Sequence, residues 1–276
     1  MLCLCKTSIL ISFPGCKINI GLNIISKRID GFHNLESIFY PVSWSDVLEF
    51  HASKQNELHT YGTSLKIKNE DNIVWKALEL LKKDYKFPSI ELHLLKNVPN
   101  GAGLGGGSAD GSAALNLINQ EFDLNISNRK LIKYAEILGS DCPFFIDNKP
   151  KLVSGRGEIL ESTKLSLNGY YLKIINPGIH VSTQLAFSRI SPRVPEFDLK
   201  KLNVSDISNW KSYLKNDFEE SVFEKYPEIE LIKNDMYENG ALYSSMTGTG
   251  SSVFGIFKNE PIENQSNHLS WIGKLN

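Results

Sequence analysis

Hydrophobic and polar positions along this chain fall into two periods. The segment "SIELHLLKNVP" alternates apolar and polar residues and is rich in β-formers, which predicts a strand ending at Pro99. Earlier, residues 8 to 50 read as strands around "KINIGLNII" and "SIFYPV", the first of them over residues 8–13. A helical period takes over in "DNIVWKALELLKKDY", an amphipathic helix with Asp71 or Asn72 as its cap. It returns over residues 108–119, where Ala113, Ala114, Leu115, Leu117 and Ile118 form an apolar face and Ser108 or Asp110 stands at the capping position, and again in "RKLIKYAEILG". Beyond Asp147, "YYLKIINPG" reads as a strand and "VSTQLAFSRI" as a helix begun by Ser182 or Thr183. The stretch from "SYLKNDFEE" to "NDMYENG" reads as a helical region broken by Pro227, and "ALYSSMTGTGSSVFGIF" as two strands joined by a glycine turn. The polar segment "SPRVPEFDLKKLNVSD" reads as a surface loop, and the final "HLSWIGKLN" gives no pattern.

Between the strand that ends at Pro99 and the helix of residues 108–119 lie Gly101, Gly103, Gly105, Gly106 and Gly107. Glycine loses more backbone freedom on folding than other residues, so such crowding must gain something, usually a close approach to the backbone. Strand, glycine loop and helix N-terminus together make an anion site: free N–H groups point outward, the helix dipole adds positive charge, and no Cβ keeps a phosphate away. A nucleotide phosphate is the leading ligand. Spacing separates the known loops of this kind. A Walker loop needs a lysine, and none lies between Gly101 and Ala114. Gly101, Gly103 and Gly106 fit Gly-x-Gly-x-x-Gly, but the acidic residues that follow, Glu121 and Asp123, fall in a helix-ending loop and not at the end of a second strand. The further motifs of a protein kinase are absent.

Composition narrows the field without choosing within it. A chain of 276 residues can bury a full core and divides into two domains. A net charge of −1 gives no electrostatic case for nucleic acid or an anionic membrane surface. Cys3, Cys5, Cys16 and Cys142 have neither disulfide nor zinc-ribbon spacing, so a reducing cytoplasm is the expectation. Lys6 interrupts the apolar run of "MLCLCKTSILISF" and no small-residue cleavage site follows, which argues against a signal peptide. No stretch is apolar for long enough to cross a membrane as a helix.

A fourth loop pattern fits. Pro99, Gly103, Leu104, Gly105, Ser108 and Ala109 match Pro-x-x-x-Gly-Leu-Gly-x-x-Ser-Ala, and this resembles the phosphate loop of the superfamily of galactokinase, homoserine kinase, mevalonate kinase and phosphomevalonate kinase, the GHMP kinases. "KINIGL", "RIDGFHNLESIF", "GLGGGSAD", "LGSDCPFF" and "SSMTGTGSSVFGIF" are similar to one branch, whose substrate is 4-diphosphocytidyl-2-C-methyl-D-erythritol, over about residues 13–257. The resemblance implies an α+β chain of two domains: an ATP-binding domain like the second domain of ribosomal protein S5 over residues 1–155, and a ferredoxin-like substrate-binding domain over 156–276, with the active site in the cleft between them. It also implies transfer of the γ-phosphoryl group of ATP, with Mg²⁺, to the 2-hydroxyl of that small molecule in the non-mevalonate isoprenoid pathway. A monomer or weak homodimer is expected.

Residue by residue, the resemblance makes Asp141 the group that takes the hydroxyl proton, although "GSDCP" alone also reads as an ordinary turn. Lys17 becomes its catalytic partner, since an ammonium keeps a carboxylate ionised and stabilises charge on a transferring phosphoryl group; by itself "CKINI" is equally an edge strand guarded by lysine. Asn19, two residues on, shares the face of Lys17. Cys16, where the family has alanine, points the other way into the core. For ATP the resemblance implies Asn72, Lys96, Pro99, Gly101, Gly103, Leu104, Gly105, Gly106, Gly107 and Ser108, the last also as a contact for Mg²⁺, while Asn72 and Lys96 read equally as a helix cap and a solvated charge. For cytosine it implies Phe32 and Phe187 on the ring faces, His33 on the edge and Thr183 close by, Phe32 standing where tyrosine is common. The turn Thr247–Gly250 is expected to pack beside the glycine loop. The rival readings are a kinase of homoserine or mevalonate, and a catalytically silent nucleotide-binding module.

Overall fold

The computed structural model describes residues 10–62, 68–263 and 267–276. Cys3, Cys5 and the first residues of the strand expected over 8–13 lie outside the described residues. In chain order the elements begin with β1 (Leu10–Ser12), β2 (Gly15–Lys27), β3 (His33–Ser45), β4 (Val47–Ala52) and β5 (Glu57–Gly62). Next come α1 (Ile73–Asp84), β6 (Ile90–Lys96), α2 (Gly106–Glu121), α3 (Asn128–Leu138) and α4 (Cys142–Asp147). Then follow β7 (Lys151–Gly155), β8 (Ile159–Ser162), β9 (Tyr171–Asn176), α5 (Thr183–Phe187), α6 (Glu219–Lys225), α7 (Pro227–Glu238), β10 (Tyr243–Met246), β11 (Val253–Phe257) and β12 (Leu269–Lys274).

Contacts divide the chain into two compact units. One holds the described residues up to Cys16 with 43–99 and 106–148; the other holds 17–42, 100–105 and 149–276. Both units are discontinuous in sequence, and in the second β3 pairs with β7 from more than a hundred residues away.

In the first unit β1, β4, β6 and β5 lie side by side in that order, β5 parallel to β6 and the rest antiparallel. One face of the sheet turns Leu48, Phe50, Leu58, Ile90, Leu92 and Leu94 into a core. The stripe Val74, Ala77, Leu78 and Leu81 of α1 meets it with the 3.6-residue period, together with Ala114, Leu115 and Ile118 of α2 and Leu131 and Ala135 of α3. Each large aliphatic side chain so buried contributes about 1.5–3 kcal/mol. Asn72 is the cap of α1, its side chain accepting from Val74 N–H. α2 starts at Gly106, two residues before the expected helix, so Ser108 and Asp110 sit inside it and do not cap it. The short α4, with Pro143 in its first turn, was not foreseen; six residues are too few to show a period.

The second unit contains the sheets β2-β3-β7-β8 and β10-β11-β9-β12. Leu22 and Ile24 of β2 pack with Ile175, Phe218, Val222, Ile229, Met236, Met246 and Phe257. Pro227 opens α7 at a first-turn position where its missing N–H costs nothing, and helix is confined to α6 and α7 within the region expected from 212 to 240. The segment expected as a surface loop, residues 191–206, runs into short 3₁₀ turns with Leu199 and Leu202 buried, so it is partly core. The patternless C-terminus supplies β12, an edge strand paired with β9.

Candidate active site

Lys17 and Asn19 lie two apart on β2 and share a face, and both are almost fully buried. The Lys17 ammonium donates to Asn19 Oδ1 at 2.6 Å and to the carbonyl of Gly103 at 2.9 Å, and stands 4.7 Å from the centre of the Phe39 ring. Asn19 Oδ1 also accepts from Gly248 N–H at 3.0 Å, and Asn19 Nδ2 donates to Ser37 Oγ at 3.0 Å, which in turn donates to the carbonyl of Gly21. The Thr247 hydroxyl accepts from Asn19 N–H at 3.1 Å and donates toward Asn19 Oδ1 and the Gly103 carbonyl, both at 3.2 Å. Three distant segments, the strand, the glycine loop and the Thr247–Gly250 turn, are thus fixed on one amide. Cys16 is buried, as expected of a residue pointing away from Lys17.

The glycine loop and the turn do pack against each other. A Cβ on Gly103, whose φ is +78°, would fall 1.9 Å from the Thr247 carbonyl oxygen, and one on Gly248 would fall 2.9 Å from Gly103 Cα, so neither position admits a side chain. Gly101 and Gly105 also have positive φ, at +63° and +72°. Gly106 begins α2 against Val98, with room for a Cβ only 3.0 Å from Val98 Cγ1, whereas Gly107 has nothing within 4 Å of its Cβ position. The Leu104 side chain is fully buried and its carbonyl accepts from Lys17 N–H at 2.9 Å. Of this loop, only backbone and open space are offered to a ligand. Pro99 stands at the turn between β6 and the loop.

In the first unit, Asp141 occupies the position before α4, half-buried, after the Gly139–Ser140 turn. Ser108 is half-buried in the first turn of α2 beside Cys142, whose thiol burial pushes up to about 11. The Ser112 hydroxyl, one turn on, donates to the carbonyls of Ser108 and Cys142 and ties α2 to α4. Lys96 is not a solvated charge. It is 2% exposed, and its ammonium is clamped by Asp46 and by Asp110, the latter at 2.6 Å. Asp46 further accepts from the N–H groups of Asn97 and Val98 at 2.6 and 2.8 Å. Burial drives the Asp110 carboxyl well above the usual carboxylate range, against the pull of Lys96. Asn72 spends its carbonyl oxygen on the α1 cap.

In the second unit His33 stacks on Phe187, ring centres 4.7 Å apart, and Phe187 meets Phe218 edge-on at 4.8 Å. His33 therefore covers a face of Phe187, where the sequence placed a base. Burial first, then Lys27, holds the His33 pKa below its ordinary value, which favours the neutral imidazole. Phe32 is more than half exposed with the Arg156 guanidinium 5.2 Å from its ring centre, and Thr183 is exposed at the start of α5, capped by Ser182. Sequence reading gave Ser37 and Asp46 no role and read Asp110, at the end of "GLGGGSAD", only as a capping residue; the roles of Asp46 and Asp110 come from Lys96 and that of Ser37 from Asn19.

Residues 72–149 match the family described as GHMP kinases N terminal domain, and residues 198–269 match GHMP kinases C terminal. The chain is 48% identical to a 4-diphosphocytidyl-2-C-methyl-D-erythritol kinase of Bacteroides fragilis, over 91% of this chain and 93% of the relative. It is 41% identical to the Cytophaga hutchinsonii protein of the same name, over 96% of this chain and all of the relative. Among solved structures it is similar to a 4-(cytidine 5'-diphospho)-2C-methyl-D-erythritol kinase, with a TM-score of 0.75 and 27% identity over 90% of each chain. A Cytophaga hutchinsonii homoserine kinase shares the fold, with a TM-score of 0.63 at 17% identity over 100% of this chain and 97% of that one. Among the described residues no helix is long and apolar enough to cross a membrane.

Proposed function

The chain belongs to the GHMP kinase family, and from that membership we propose that it transfers the γ-phosphoryl group of ATP to the 2-hydroxyl of 4-diphosphocytidyl-2-C-methyl-D-erythritol, giving the 2-phosphate and ADP in the non-mevalonate isoprenoid pathway. The observation that carries this reading is the Lys17–Asn19–Thr247–Gly103 network, which joins three of the family's motifs around one ammonium group.

In the reaction the substrate hydroxyl oxygen forms the new bond to γ-phosphorus, the bridging bond to the β-phosphate breaks, and the leaving oxygen departs with ADP. Asp141 takes the hydroxyl proton, and Lys17 stabilises the charge spread over the transferring group. Asn19 holds the Lys17 ammonium in place through its carbonyl oxygen. Backbone N–H groups of Gly101, Gly103, Gly105, Gly106 and Gly107 cradle the phosphates, the Cβ position of Gly107 being open. Mg²⁺ takes hard oxygen ligands and keeps several waters, and the Ser108 hydroxyl is an oxygen donor of that kind in the first turn of α2. When bound with ATP the ion neutralises phosphate charge. On the cytidine, Phe32 and Phe187 supply stacking surfaces, neutral His33 a hydrogen-bonding edge and Thr183 a hydroxyl, with His33 moving off Phe187 as the base enters. The proposed ATP contacts all lie within residues 1–155, which also give Phe32 and His33 to the cytidine site that Thr183 and Phe187 of 156–276 complete, and the expected setting is a reducing cytoplasm.

The test is ADP release by the purified chain with ATP and Mg²⁺. Turnover is expected with the cytidine substrate and not with homoserine or mevalonate, and Asp141→Asn is expected to lose at least about 10²-fold in kcat. Equal turnover of homoserine would overturn the substrate, and an unchanged kcat in Asp141→Asn the role of the aspartate.

A further inference from the structure

The sheet β1-β4-β6-β5 has a second face, opposite the core, and its middle is occupied by metal-ligand side chains. Strand register brings them together: His51 of β4 and Glu57 of β5 both stand opposite Glu91 of β6, and His59 of β5 stands opposite His93. Because side chains alternate, all five project to this one face while Leu92 and Leu94 go to the core. Nothing in the phosphoryl-transfer chemistry above uses them.

Their spacing is that of a coordination sphere. Glu91 Oε1 lies 3.0 Å from His59 Nε2 and 3.3 Å from His93 Nε2, Glu91 Oε2 lies 3.3 Å from His51 Nε2, and Glu57 Oε2 lies 3.3 Å from His59 Nε2. Ligands at the usual distances around a tetrahedral zinc ion are roughly 3.3 Å from one another. Among the described residues two triads bring one ligand atom of each member within 4.8 Å of the others, His51–Glu91–His93 and Glu57–His59–Glu91, with Glu91 common to both. His59 Nε2 is buried yet makes no hydrogen bond of adequate geometry, although two carboxylate oxygens lie beside it. A ring nitrogen set between two carboxylate oxygens takes either a proton or a metal cation, and in its neutral tautomer with Nε2 unprotonated it is a ligand atom. His93 is held from behind by a hydrogen bond between its Nδ1 and Tyr61 Oη, 3.0 Å apart, and in the tautomer that carries its proton on Nδ1 its Nε2 is a free ligand atom on the Glu91 side. Both His51 and His59 stack on His93, at 5.3 and 5.0 Å, which holds the three imidazoles in ranks.

We propose that this cluster binds a divalent transition-metal cation of the zinc class, with Glu91 as the shared ligand. Imidazole and carboxylate together suit zinc, nickel or copper, while magnesium and calcium prefer oxygen alone. The bound ion ties β5, the edge strand of the sheet, to β6 and β4, so its effect is to stabilise the first unit without entering the reaction.

Zinc binding is measured by calorimetry on untagged, chelator-stripped full-length protein, with magnesium chloride as the control, alongside Glu91→Gln, His93→Gln and His59→Gln. Wild type is expected to bind zinc, to show no such binding of magnesium, and to melt at higher temperature when zinc is added. Each variant is expected to bind about tenfold or more weakly while keeping the wild-type circular dichroism and turnover. A zinc X-ray absorption spectrum should fit nitrogen and oxygen neighbours only. Zinc affinity unchanged by Glu91→Gln and His93→Gln, or a sulfur shell pointing to cysteines, would overturn the proposal.

Discussion

Two buried lysines, each on a strand and each expected from the sequence to serve the nucleotide reaction, sit in contrasting surroundings. Lys96, at the end of β6, donates to two carboxylates, Asp46 and Asp110, within the core side of the first unit. Lys17, on β2 of the second unit, is oriented in part by neutral oxygens, donating to the Asn19 amide and the Gly103 carbonyl. Carboxylates neutralise an ammonium, whereas amide oxygens chiefly aim it. On the proposed function, the difference separates a lysine that secures a fold from one aimed at the transferring phosphoryl group, and neither surrounding was legible while both were only lysines near a motif.

The first way to break the comparison is Lys96→Met. Removing one partner from a buried ionic cluster leaves the others uncompensated, which costs about 3–5 kcal/mol. Urea unfolding should show that loss in full. A Lys96→Met protein as stable as wild type, with its ATP KM raised, would return Lys96 to the phosphate contact it was first taken for.

Lys17→Met sharpens the other side. It removes a stabilising charge from the transferring group, so kcat should fall by about 10²–10³-fold. Stability should fall by only about 1–2 kcal/mol, since Asn19 Oδ1 keeps donors in Gly248 N–H and Thr247 Oγ1. Measured together, the two variants should cross: Lys96→Met is the larger loss in unfolding, Lys17→Met the larger in turnover. Parallel losses in both assays would mean that both lysines are structural.

Why the sequence told so much of one lysine and so little of the other follows from distance along the chain. That Lys17 and Asn19 share a face needs only the period of a strand, and the alternation of "SIELHLL" and the stripe of α1 were legible for the same reason. The clamp on Lys96 depends on Asp46, 50 residues away in "SWSDV", where nothing local marks an aspartate as a core residue. Gly103 shows the same limit in another form. Its glycine was legible and attributed to a phosphate, but what fills the place of a Cβ is the Thr247 carbonyl, 144 residues on. Short elements failed differently: α4 lacks the length to display a helical period, β12, "LSWIGK", does not alternate, and the stacking of His33 on Phe187 joins two residues that the resemblance assigned to one base but not to each other.

The smallest effect tests the inside of the clamp. One ammonium faces two carboxyl groups, and the backbone donors favour one of them: Asp46 accepts from Asn97 and Val98 N–H, whereas Asp110 Oδ1 is buried without a partner. The Asp110 pKa is accordingly raised well above 3.8, chiefly by burial and in part by Asp46. A carboxyl whose folded pKa lies above its unfolded value contributes stability that is fully present below the unfolded value and is lost as pH rises through the folded one. Below the raised Asp110 pKa the carboxyl is protonated, and Asp110→Asn, close in shape to that acid, should there change stability by less than about 1 kcal/mol. It should also remove part of the decline that wild type shows as pH rises through the raised Asp110 pKa. Unfolding by urea at a series of pH values measures both. A loss in Asp110→Asn as large as that in Lys96→Met at every pH would mean that Asp110 holds Lys96 as a full carboxylate, and the clamp would then carry a net negative charge in the core.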